Sequence, residues 1–118
     1  MRVTSDMFCG ALVRTVFAQG GFAAIEIKGA AEAGAIFVVQ RRRAGEMLLY
    51  GPAPQALLDA PGDSDLSVDA RRFELLASGP TQADISDRLA RERKYDPDIW
   101  VVELEIEELP DTMAVIGN

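Results

Sequence analysis

The sequence predicts an α+β fold, an antiparallel sheet of four to five strands with two helices packed on one face. Three observations predict it. Two segments place apolar residues at helical spacing, several short segments alternate or run apolar in the manner of strands, and 118 residues leave room for one core of normal depth. The composition, 48% hydrophobic and 26% charged, is that of a chain that buries a core without disulfides or metals.

The first helix opens at Thr4 or Ser5, either of which can cap it. Phe8, Leu12 and Val16, flanked by Val13 and Phe17, follow a helical period until Gly20-Gly21 stops it. In Phe22–Lys28, Ala23, Ile25 and Ile27 share one face and Glu26 and Lys28 the other, the pattern of a half-buried strand. A turn with Gly29 and Gly34 leads to Ala35–Gln40, apolar on both faces and so suited to the middle of a sheet. Ala44-Gly45 marks a hairpin into Glu46–Tyr50, which Gly51-Pro52-Ala53-Pro54 closes. These three strands are expected to form an antiparallel meander.

Residues 59–69 read as a flexible polar loop, and 71–76 as a fourth strand or a short helix. Thr81 and Asp84 imitate a capping box for a second helix over about 82–94, with Ile85 and Leu89 as its apolar stripe. Asp84/Arg88 and Asp87/Arg91 are spaced for i,i+4 pairing along it. Pro97 ends it. From Val102 the chain alternates, setting Val102, Leu104 and Ile106 opposite Glu103, Glu105 and Glu107, the clearest strand signal present. The domain is expected to span 1–110, with 111–118 a mobile tail.

Charge and cysteine content narrow the function classes. The net charge is −7, with residues 1–58 at +2 and residues 59–118 at −9, so a nucleic-acid partner would require a local basic patch against the overall field. Lone Cys9 and the absence of histidine exclude an intramolecular disulfide and a zinc site of the usual Cys/His type. No apolar run approaches membrane-spanning length, and Asp6 stands where a signal peptide would be basic or apolar. The cytoplasm is the expected location, with no membrane association.

Tyr50-Gly51-Pro52-Ala53-Pro54-Gln55 and Tyr95-Asp96-Pro97-Asp98-Ile99-Trp100-Val101-Val102-Glu103, with the opening helix and Gly20-Gly21-Phe22, resemble a small bacterial family catalogued as domain of unknown function 1491. The similarity runs over nearly the whole chain. It implies an alphaproteobacterial origin and one intact domain, and brings no activity, cofactor or substrate.

Each chemical candidate has a plainer structural reading. Without histidine to activate it, Cys9 reads as a small apolar side chain beside Phe8. Asp63, Asp65, Ser67, Asp69 and Glu74 reproduce the ligand spacing of a calcium loop, but Val68 stands where that loop needs glycine and no helix precedes it. The glutamates of the alternating strand read as its solvated face. Arg41-Arg42-Arg43 is the only basic run. If its strand persists, Arg41 and Arg43 share a face, suited to two carboxylates or phosphates, or else form an ion-paired rung against those glutamates. Tyr95 and Trp100 flank Asp96-Pro97-Asp98 as a binding ledge, or Trp100 belongs to the core. Nucleotide and hydrolase signatures are absent.

The favoured reading is a non-catalytic protein-interaction or regulatory module, contacting another protein or a second copy of itself as a homodimer. Its expected surface comprises Arg41, Arg43, Tyr50, Arg72, Tyr95, Asp96 and Trp100, with no catalytic residue, metal or cofactor. The first alternative is a small-anion enzyme or sensor in which Arg41, Arg43 and Arg72 clamp the anion and Glu74 or Asp96 handles protons. The second is nucleic-acid binding by the same arginines.

Overall fold

The computed structural model describes residues 3–54, 71–79 and 81–116. Helix α1 spans Ser5–Ala18, and Thr4 caps it by accepting the Met7 amide at 3.1 Å. Its exit is a Schellman turn. Gly20 adopts φ +87°, the Gly20 amide donates to the Phe17 carbonyl, and the Gly21 amide donates to that of Val16. Strands follow at Phe22–Ile27 (β1), Ile36–Arg41 (β2), Met47–Pro52 (β3) and Arg72–Ser78 (β4). Helix α2, Gln82–Tyr95, precedes β5, Trp100–Glu105, and a two-residue β6, Ala114–Val115. Segment 71–76, open between strand and helix in the sequence, is thus strand.

Among the described residues the sheet has six strands in the order β1-β5-β2-β3-β4-β6 and is mixed. β5 pairs parallel with β2, and β6 parallel with β4, while the other neighbours are antiparallel. This corrects the expected antiparallel sheet of four to five strands, and the meander with it. β2 and β3 do form a hairpin, but β5 lies between β1 and β2. The reason is burial. Ile99-Trp100-Val101-Val102 is apolar on every side chain and all four are at most 3% exposed, so this segment needs sheet on both flanks and cover on both faces.

The two helices among the described residues cover opposite faces, which corrects the expected placement of two helices on one. Ile36 and Val38 of β2 pack with Phe8, Cys9, Leu12 and Val16 of α1, whereas Phe37 and Val39 pack with Ile85 and Leu89 of α2. A strand apolar on both sides cannot leave one face bare. The β1 pattern also resolves differently. A bulge after Ile25 shifts its register on β5, so Ala23 lies in the α1 layer and Ile27 packs in the α2 layer, not on one shared face.

Beyond Pro110, Met113 is 4% exposed in the α1 layer and β6 pairs with β4. On α2, the Thr81 and Asp84 capping box forms as the sequence suggests. With Asp84 so engaged, Arg88 pairs with Glu92 at 3.0 Å instead of with Asp84. No helix among the described residues is long and apolar enough to cross a membrane.

Candidate functional site at the carboxyl ends of the parallel strands

Because β2 and β5 run parallel, their carboxyl ends meet, with Arg41 level with Glu105. In open sheets this end of a parallel pair is where ligands gather. The exit of α1 joins the same rim. A Cβ on Gly21 would stand 2.7 Å from the Glu105 carbonyl oxygen, and Phe22 pairs with Glu105 across the strands. Between the α1 exit, the Arg41–Gly45 hairpin and the segment Glu105–Glu108 lies an open cleft of about 860 Å³.

The rim is fixed from beneath by a buried polar side chain. Gln40 is fully buried. Its amide nitrogen donates to the carbonyls of Ile106 at 3.0 Å and Glu107 at 3.1 Å, and its amide oxygen accepts the Tyr50 hydroxyl at 3.0 Å. The buried amide of Gln40 and the buried Tyr50 hydroxyl are therefore both satisfied. Burial pushes the Tyr50 phenol above its ordinary pKa; the Arg42 charge opposes this and Glu46 adds to it. Tyr50, expected at the surface, is instead 6% exposed and lies in the core.

The arginine run splits three ways. The Nη2 of Arg41 lies 2.6 Å from Glu103 Oε2 and donates to Gln82 Oε1 at 2.8 Å, so the ion-paired rung foreseen for the strand end is formed. Arg42 pairs with Glu46 at 3.0 Å. β2 ends at Arg41, leaving Arg43 in the hairpin turn; the two arginines therefore do not share a strand face as expected. The Arg43 amide donates to a Glu107 carboxylate oxygen, and its guanidinium has no hydrogen-bond or ion-pair partner among the described residues. The same holds for the carboxylates of Glu105 and Glu108.

Phe22 lines the cleft and carries Phe17 against it on the outer side of the lip. Phe17 and Phe22 meet edge to face with centroids 5.5 Å apart, and are 49% and 50% exposed. Sequence reasoning missed both as site residues, along with Gln40. The available signal was an aromatic on either side of the Gly20-Gly21 helix stop, and an amide closing an otherwise apolar strand.

The other residues singled out from the sequence do not join this cleft. Trp100 is fully buried and its indole N–H donates to the Ala30 carbonyl at 2.7 Å, the core alternative. Tyr95 is 87% exposed, and Asp96 accepts the Asp98 amide, but both precede the start of β5. From Ile36, level with Trp100, to Arg41 is five strand steps, about 17 Å. Arg72 sits beside Ala53, at the far end of β3 from the Arg41 partner Met47. Arg41, Arg43 and Arg72 therefore do not converge into an anion clamp. Arg71 donates to the Val3 carbonyl, with its guanidinium 5.9 Å from the Phe8 ring centroid.

Cys9 is fully buried, and that burial pushes its thiol up to about 12, with the Arg71 charge opposing it and Asp6 adding to it. It fits the packing reading and not a nucleophile. The polar loop 59–69, with most of the calcium-like spacing, lies outside the described residues; Glu74 lies in β4, opposite Gly51.

Comparison with known proteins bears on the whole chain. The solution structure of protein Atu0922 from A. tumefaciens is 48% identical, with a TM-score of 0.83 over 100% of this chain and 98% of that one. A crystal structure from Caulobacter crescentus is 28% identical, with a TM-score of 0.74 over 99% of this chain and 100% of its own. An NMR structure from the same organism aligns with the same identity and TM-score over 99% of each chain. Both sources fit the alphaproteobacterial origin that the resemblance implied. Among curated proteins, none is similar to the chain. The model of the DUF1491 family, described as a protein of unknown function, matches residues 3–114, and the chain belongs to that family.

Proposed function

We propose that this protein is a non-catalytic, cytoplasmic interaction module that docks a partner protein in the cleft at the carboxyl ends of β2 and β5. The observation that carries this reading is the Phe17–Phe22 pair, half exposed on the lip of a cleft whose floor is braced by Gln40. An exposed aromatic pair is a poor way to finish a solvated surface and a good anchor for a contact. Fixed backbone beneath it lowers the ordering cost of binding. The arginines argue against the anion alternative, since Arg41 is engaged by Glu103 and Arg72 lies at the far end of β3 from Arg41 and Arg43.

The test is capture from native lysate with a Phe17→Ser/Phe22→Ser variant, shown to be folded by circular dichroism, beside Tyr95→Ala as a control at the opposite end of the sheet. The reading expects a stoichiometric protein that is lost in the double variant and retained in the control. A partner retained by the double variant would remove the cleft from the interaction.

A further inference from the structure

Resting on that reading, we infer that the segment docking in this cleft is basic and apolar, carrying lysine or arginine beside a large apolar residue. In sequence, the arginine run suggests the opposite, an acidic partner. The fold reverses this by supplying counter-charges from distant positions. Glu103, brought alongside by the parallel pairing, lies 2.6 Å from Arg41, and Glu46, across the hairpin, lies 3.0 Å from Arg42. With those pairs closed, Arg43 is the guanidinium without an ion-pair partner among the described residues lining the cleft, which Glu105, Glu107 and Glu108 also line. The Arg43 amide occupies one carboxylate oxygen of Glu107, while Glu105 and Glu108 have no partner among the described residues. The cleft is thus left with negative charge to spare.

The rest of the molecule reinforces that sign. The net charge is −7, so the field of the whole molecule favours approach of cationic chains over acidic ones. The shelf formed by Phe17 and Phe22 then supplies what the carboxylates lack, an apolar surface and two ring faces against which a guanidinium or ammonium can lie. Charge complementarity sets the sign of the partner and the aromatic pair sets the need for an apolar residue next to it.

The experiment titrates the full chain, labelled with ¹⁵N, with three synthetic peptides: Ac-KLRFKL-NH2, Ac-ELDFEL-NH2 and Ac-SLNFSL-NH2. Amide shifts detect binding too weak for capture. The expected result is that the basic peptide alone shifts Gly20, Gly21, Phe22, Arg43 and the amides from Glu105 to Glu108. Its affinity should fall several-fold in Glu105→Gln/Glu108→Gln, a variant that touches only exposed carboxylates. It should also weaken as salt rises. Preference for the acidic or neutral peptide at these amides would overturn the basic assignment and leave the interaction module standing. Shifts of the same amides on raising the concentration of the protein alone would overturn it in favour of a second copy. Failure of all three peptides to move the cleft would overturn it too, while the lysate capture judges the docking reading separately.

Discussion

Gln40 is where the largest consequence rests on the smallest sequence signal. Replacing it with leucine keeps the volume but leaves the buried Tyr50 hydroxyl without its acceptor and the part-buried carbonyls of Ile106 and Glu107 without their donor. We expect Gln40→Leu to cost about 2–3 kcal/mol in urea denaturation, and Tyr50→Phe about 1 kcal/mol. The double variant should cost less than the sum, since the two side chains share one hydrogen bond. Cys9 gives a second prediction. The unfolded thiol ionises near 9.0 and the buried one near 12, so the native state holds its proton over that range. Its contribution is complete below pH 9 and lost as the pH climbs toward 12. Native protein at pH 8 should resist iodoacetamide, and react once unfolded.

At the scale of elements, the helices were legible and the sheet order was not. Local chemistry specifies α1 and α2: a cap at Thr4, a Schellman exit at Gly20, and a capping box at Thr81 that needs only residues three apart. We therefore expect Thr81→Ala to cost about 1 kcal/mol by thermal unfolding. Gly20→Ala should cost about the same, since φ +87° strains any residue with a Cβ. Hydrogen bonds from Thr81, the backbone amide first and the side chain second, hold the Asp84 carboxyl below its ordinary 3.8. The cap is complete above that value and weakens as acid titrates Asp84 through its native pKa.

Strand order depends on contacts distant in sequence. The alternation from Val102 suggested a half-solvated strand, yet the preceding Ile99–Val102 run is apolar on both sides and required an interior place beside β2. Likewise Ile25 and Ile27 keep a strand period on paper, and only the bulge against β5 separates their faces.

For the whole molecule, the same long-range pairing explains why the candidate site was half legible. Arg41 and Arg43 could be singled out within the only basic run, but what engages them lies more than sixty residues on, Glu103 at the Arg41 guanidinium and Glu107 at the Arg43 backbone amide, brought close by the parallel β2–β5 pair. Tyr95, Asp96 and Arg72 were placed with them because sequence gives no distances; the registers put them at other corners of the sheet. What emerges is a sheet covered on both faces, with an open cleft at the carboxyl ends of its parallel core, Phe22 with Phe17 beside it at the lip and carboxylates on the wall.

The most direct measurement of that claim places a photo-crosslinking benzoylphenylalanine at position 22, and separately at position 95, in cells that express the protein natively. Docking in the cleft predicts one dominant protein adduct from position 22 and none from position 95. Adducts from position 95 alone, or none from either, would contradict it.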